Sequence, residues 1–163
     1  MKTLIIIRHA KAEQSFGPDR DRRLTERGHQ NAEMMAERLL AKGYKIDMIF
    51  SSPSARTKET TEYFAVANHL DKDHVKYFDK LYLGDIVAIT ETVLWLKENV
   101  HTLAIVGHNP GVSNFVNNIT NADINDLPTC GIAVIEIDMN NWEEDFTKAP
   151  KKLVEVMKPK DQV

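Results

Sequence analysis

The chain has 163 residues, 42% of them hydrophobic and 28% charged, with a formal net charge of −3. That length suits one domain, residues 1–163, with a core that needs no staples, and the weak negative charge argues against nucleic acid or an anionic membrane as partner through bulk electrostatics. A single cysteine, Cys130, excludes an intrachain disulfide and fits a reducing, cytoplasmic setting.

Residues 3–8 read as a first strand. The run Leu4-Ile5-Ile6-Ile7 is continuous rather than alternating, as in a strand covered on both faces. Met1-Lys2-Thr3 before it has the charged start of a signal peptide, but the apolar stretch is too short and is interrupted by Arg8, His9 and Lys11. No segment reaches the ~18 apolar residues of a membrane span. Residues 11–24 are polar, with Gly17-Pro18 as a breaker and Asp19, Arg20, Asp21, Arg22 and Arg23 crowded together. Thr25 is the expected N-cap of a helix whose apolar stripe is Ala32, Met35, Ala36, Leu39 and Leu40. Lys42-Gly43 ends it, a basic last turn followed by a C-cap glycine.

A second strand is predicted over residues 46–50. Ser51-Ser52-Pro53 follows, with Pro53 placed in the first turn of a helix that carries Arg56 and runs to about residue 68. A short third strand over 75–78 leads through the loop Leu81-Tyr82-Leu83-Gly84-Asp85 to a helix over 86–98, which Asp85 is placed to cap. Leu103 to Val106 is another buried strand, and Pro110 begins the helix after it. Ile132 to Ile137 and Leu153 to Met157 are predicted to form a closing hairpin around Asn140-Asn141, and the tail from Pro159 is polar. Strands alternating with helices predict an α/β fold: a three-layer α/β/α sandwich with a largely parallel central sheet and antiparallel edge strands.

Buried parallel strands deliver functional groups at their carboxyl ends. Arg8-His9 ends the first strand, the segment from Ser51 to Arg56 follows the second, and Gly107-His108-Asn109-Pro110 ends the strand near residue 106. Each junction also aims backbone N–H groups and a positive helix end at one crevice. Arg8 and Arg56 are suited to gripping phosphate oxygens through two parallel bonds. Arg56 in a first helical turn opposes the helix dipole, which favours a role outside the helix. Neutral imidazole is a nucleophile able to accept a phosphoryl group. His9 is placed to attack if one ring nitrogen is held by a nearby carbonyl, and His108 to donate to a phosphate oxygen, a contact worth about 3–4 kcal/mol in analogous sites. Taken singly, an Arg-His dipeptide also fits a packing role and His108 a turn. The three together, all at strand ends, point to an anion pocket. No metal-ligand cluster, Walker loop or dinucleotide fingerprint is present, and Cys130 reads as a small buried residue.

These motifs resemble the histidine phosphatase superfamily, the phosphoglycerate mutase-like fold. Residues Leu4 to Ala10 are similar to its Arg-His-Gly signature. Ser51 to Thr60 are similar to its Ser-Pro-x-x-Arg-x-x-x-Thr segment, and Gly107 to Pro110 to its second-histidine motif. Residues Arg22 to Gly28 resemble the Arg-Pro-Leu-Thr-x-x-Gly stretch of its compact SixA-like phosphohistidine phosphatases. The resemblance implies that His9 is transiently phosphorylated, that Arg8, Arg56 and His108 hold the phosphoryl group with Arg22 assisting, and that neither metal nor cofactor takes part. It implies a phosphorylated substrate, a phosphohistidine protein or a small phosphate ester. The alternatives are a sugar or nucleotide phosphate phosphatase of the same fold and a phospho-ligand binding module without turnover. The signature glycine is replaced by Ala10, which fits unless that position needs positive φ. No counterpart of the general-acid glutamate of larger members is evident. Asp85 and Asp21 are the available carboxylates, and Asp85 also fits as a simple helix cap.

Overall fold

The protein is described by a computed structural model, which covers residues 1–14 and 16–161. Its first strand, β1 (Lys2–Arg8), has Leu4, Ile5, Ile6 and Ile7 at 0% exposure. Pleating sends Leu4 and Ile6 into one apolar cluster and Ile5 and Ile7 into the other. The cluster around Ile5 and Ile7 is closed by α1 (Glu26–Ala41) and α2 (Ala55–Ala67), through Ala32, Met35, Leu39 and Phe64. The cluster around Leu4 and Ile6 is closed by α3 (Ile86–Leu94) and α4 (Gly111–Thr120), through Ile89, Val93, Phe115 and Val116. A run apolar on both sides of the pleat is therefore the middle layer of an α/β/α sandwich. Each such fully buried side chain contributes roughly 1.5–3 kcal/mol of transfer free energy.

The other strands are β2 (Met48–Ser51), β3 (Val75–Tyr77), β4 (Thr102–Gly107), β5 (Ile132–Ile137) and β6 (Lys151–Met157), in the spatial order β3-β2-β4-β1-β5-β6. β3, β2, β4 and β1 run parallel, and β5 and β6 add antiparallel pairs on the far side of β1. The chain leaves β1 for β2 and later returns β4 to the gap between them. Arg8 thus pairs with Gly107, and the His9 N–H donates to the Gly107 carbonyl at 3.1 Å. The residues following β1 and β4, almost 100 positions apart in the chain, emerge side by side at the carboxyl edge.

Several boundaries differ from the sequence expectation. β2 begins at Met48, because the Ile46 N–H is taken by the Asn68 side chain at 2.8 Å, at the end of α2. Pro53 lies ahead of α2. Ser54 is the N-cap, its hydroxyl accepting from the Thr57 N–H. α3 stops at Leu94, four residues short of the predicted end, and Leu96 turns into the core. β5 and β6 do pair, but not through a tight turn at Asn140-Asn141. Residues 138–150 make a long connection that buries Trp142 and Phe146, with the Trp142 indole N–H bonded to the Val100 carbonyl at 2.8 Å. Two large aromatics gain more from the core than a two-residue turn would leave them. The polar tail is described as far as Asp161, and its last two residues lie outside the described ones.

One glycine brings α1 against the site. A Cβ at Gly28 would lie 2.1 Å from the Lys11 carbonyl oxygen, so only glycine lets the first turn of α1 pass over the chain leaving His9. The Thr25 N–H bonds the same carbonyl at 2.9 Å. Among the described residues no helix is long and apolar enough to cross a membrane.

Candidate active site

Arg8, His9, Arg22, Arg56 and His108 line one cavity of about 270 Å³ together with Asp19, Leu83 and Asn109. Asp85 and Asp21 do not line it. Asp85 is exposed and caps α3, accepting from the Ala88 N–H at 3.0 Å. Asp21 closes an exposed 3-10 turn, Asp19–Asp21.

His9 is 8% exposed, and its Nδ1 lies 2.7 Å from the Ala10 carbonyl oxygen. A carbonyl only accepts, so Nδ1 carries the proton and Nε2 keeps the lone pair. Burial, followed by the positive charges of Arg56, Arg8 and Arg22, lowers the His9 pKa to about 4, with the Ala10 bond acting the other way. The ring is therefore neutral at neutral pH. Ala10 is fully buried and its backbone is not in the left-handed region, so alanine meets the needs of that position.

α2 reaches the same spot through its first two turns. The Thr60 hydroxyl accepts from the Ala10 N–H at 3.0 Å and donates to the Arg56 carbonyl at 2.8 Å, while Glu59 accepts from the Leu24 N–H at 2.8 Å. The spacing from Arg56 to Thr60 is thus one helical turn that carries the guanidinium and also pins the end of β1. Arg56, 3% exposed, donates to the Asp19 carbonyl at 2.8 Å, to the Asp19 carboxylate at 2.9 Å and to His108 Nδ1 at 3.3 Å. Arg8 donates to the Leu127 carbonyl at 2.9 Å, which also accepts from Asn109. The Nε atoms of Arg8 and Arg56 are buried and have no hydrogen-bond partner among the described residues. Buried donors in that condition cost roughly 1–3 kcal/mol each and favour an oxyanion.

His108 is 3% exposed, its ring 5.4 Å from that of His9. An arginine only donates, so Nδ1 accepts from Arg56 and Nε2 donates to the Ser52 hydroxyl at 2.8 Å. Burial and then Arg56 lower its pKa to about 3. To donate to an anion from Nδ1 the ring would need a proton there, which it does not carry while Nδ1 accepts from Arg56.

Sequence reasoning gave no role to Ser52 or Tyr82 and named Asp19 only within the charged cluster of residues 19–23, read as either a solvated face or a rim of the site. Ser52 orients His108, and Tyr82 donates to the Asp19 carboxylate while its ring stands perpendicular to that of His108. Asp19 itself is bonded by Arg22 at 3.1 Å, by Arg56 and by Tyr82. Its carboxyl is held well below the usual range, first by the Tyr82 bond and then by Arg56 and Arg22. The crowding of charge over residues 19–23 was the available signal, but only the turn geometry separates Asp19 from Asp21. Cys130 is fully buried in the apolar cluster under α1, which pushes its thiol up to about 12. No cluster of three or more His, Cys, Asp or Glu able to hold a metal occurs among the described residues.

Two buried neutral histidines make stability depend on pH. Both folded-state values lie below the ordinary 6.5, so the unfolded chain takes up protons first as pH falls. Stability is complete above about pH 6.5 and is lost as pH drops toward 4, at up to about 1.4 kcal/mol per pH unit for each ring. Urea midpoints between pH 7 and 5 should fall steeply for the wild type and less steeply for the double variant His9→Gln, His108→Gln. Equal slopes would mean the rings are not held neutral.

The Histidine phosphatase superfamily (branch 1) family model matches residues 4–98. An uncharacterised chloroplastic protein of Arabidopsis thaliana is 26% identical over 155 residues, covering 89% of this chain and 71% of that protein. Among solved structures, a candidate phosphohistidine phosphatase SixA from Agrobacterium tumefaciens superposes with a TM-score of 0.80 at 26% identity, covering 96% of this chain and 97% of that one. A second SixA candidate, from Nakamurella multipartitia, gives 0.81 at 25%, covering 98% and 97%. A mycobacterial glucosyl-3-phosphoglycerate phosphatase shares the fold, at 0.69 and 14% identity over 94% and 97% of the two chains.

Proposed function

The chain belongs to the histidine phosphatase superfamily, and from that premise we propose that it is a phosphohistidine phosphatase working through a phosphorylated His9. The observation that supports this most directly is the Nδ1 bond of His9 to its neighbour's carbonyl, which leaves a neutral Nε2 lone pair in a cavity lined by Arg8, Arg22 and Arg56. In the reaction the Nε2 lone pair forms a bond to phosphorus. The bond from phosphorus to the leaving group breaks, and its electron pair departs with that group. Water then attacks the phosphohistidine, releasing inorganic phosphate and restoring the imidazole.

Arg8 and Arg56 offer the equatorial oxygens their buried, unpartnered Nε donors, Arg22 assists from the rim, and His108 completes the set once protonated on Nδ1. The SixA candidates of similar size and fold support phosphohistidine as the substrate class.

Rapid quench with phosphorus-labelled substrates tests this. A phosphohistidine-bearing protein should label the enzyme with an acid-labile, base-stable phosphate and be turned over at least tenfold faster, by kcat/KM, than sugar phosphates or nucleotides. The reverse preference would assign a metabolite phosphatase. Saturable binding of phosphoprotein with no labelled enzyme would assign a binding module.

A further inference from the structure

A carboxylate stands in the mouth of a pocket otherwise built for an anion. The Asp19 side chain is 42% exposed where the guanidinium it pairs with is 3% exposed, so it lies on the solvent side of Arg56. Arg22, with its side chain 24% exposed, holds the same carboxylate from the rim, and Tyr82 holds it from the loop before α3. Leu83, 58% exposed and in the left-handed region, completes the rim. Three guanidiniums and one carboxylate leave a net charge of +2, which matches a phosphoryl dianion and leaves a fixed negative charge beside whatever the phosphoryl group is attached to.

We propose that Asp19 is the specificity-determining residue of this site, selecting N-phosphoryl substrates whose phosphorylated ring is cationic and leaves neutral, and disfavouring phosphate esters whose leaving group carries its own negative charge. The inference rests on the phosphatase reading above and narrows it. In a phosphorylated imidazole protonated on its distal nitrogen, that N–H faces outward when phosphorus faces His9. The Asp19 carboxylate accepts from it and stabilises the protonated form.

His9 Nε2 then bonds to phosphorus, the P–N bond breaks, and its electron pair stays on the ring nitrogen. The imidazole leaves neutral, still carrying its distal proton. No proton has to be supplied from the protein in this step. That accounts for an active site whose lining carboxylate is kept ionised by Tyr82, Arg56 and Arg22 rather than protonated as a donor. An anionic leaving group, such as a carboxylated alcohol, meets a like charge at the same place, and like-charge juxtaposition is strongly discriminating.

The test compares kcat/KM for two probes, phosphoimidazole and 4-carboxyphenyl phosphate, in the wild type, Asp19→Asn, Asp19→Glu and Asp19→Lys. The readout is the ratio between the two probes, which a loss of general integrity does not move. Asp19→Asn should lower the preference for phosphoimidazole by about tenfold or more, Asp19→Lys should lower it further, and Asp19→Glu should retain most of it. A ratio that stays within twofold of the wild type in both Asp19→Asn and Asp19→Lys, with labelled phosphoenzyme still formed, would overturn the role of Asp19 and leave the phosphatase reading standing. A wild type that forms no phosphoenzyme from either probe would overturn both.

Discussion

Replacing His9 with alanine should abolish turnover, by about 10⁴–10⁶-fold, the scale set by removing an attacking group from an otherwise intact site. The argument is local. His9 presents the neutral ring nitrogen next to the guanidiniums, and the other histidine has Nε2 committed to Ser52 and Nδ1 to Arg56. His108 is therefore not placed to take over. The fold should survive, because His9 stands at the strand end rather than between the layers, and β1 remains held by Arg8–Gly107 and by the run Leu4 to Ile7. The informative measurement pairs quench labelling with a urea midpoint. A folded His9→Ala protein that neither labels nor turns over supports the assignment, whereas a folded variant with wild-type rate would end it.

Arg56→Lys should be nearly as damaging, despite keeping the charge. Arg56 uses its planar fork in more than one direction, toward the Asp19 carbonyl, the Asp19 carboxylate and His108 Nδ1, from a side chain 3% exposed. An ammonium on a flexible stem does not reproduce that geometry. A loss of about 10²–10³-fold in kcat/KM is expected, the cost of removing a preoriented oxyanion donor, together with at least tenfold weaker inhibition by vanadate or inorganic phosphate. Unchanged vanadate inhibition would place the oxyanion away from Arg56.

These two effects rest on different layers of the molecule. His9 depends on one strand end and its own neighbour's carbonyl. Arg56 depends on α2 being clamped through Thr60 to Ala10, just past β1, and on the segment before α1 being clamped to α2 through Glu59, which also pairs with Arg23. The four-residue spacing from Arg56 to Thr60 is therefore a statement about docking as much as about phosphate.

The sequence by itself determined the layering. A strand apolar at every position from Leu4 to Ile7 must be covered on both faces, and the stripe read as Ala32, Met35, Ala36, Leu39 and Leu40 supplies one cover through its first four members, Leu40 standing 37% exposed at the margin; each follows from near-neighbour periodicity and transfer free energy. It also carried Arg8, His9 and His108 to strand ends and Arg56 to the first turn of the helix after β2, and with them the family. Ala10 was legible as tolerable, since a small side chain asks only for a non-left-handed backbone, and that is what it has. The tertiary structure alone decided which ends meet. The placement of β4 between β2 and β1 is a choice of sheet order that no local pattern encodes, and it sets His9 5.4 Å from His108. It decided, too, that the carboxylate on the cavity is Asp19 and not Asp85 or Asp21. That contact spans 37 positions, and three adjacent acidic and basic residues on a tight turn differ only in the direction each one faces. The burial of Trp142 and Phe146 in place of a short hairpin has the same origin: the space they fill exists only once β4, α4 and β5 are assembled around it.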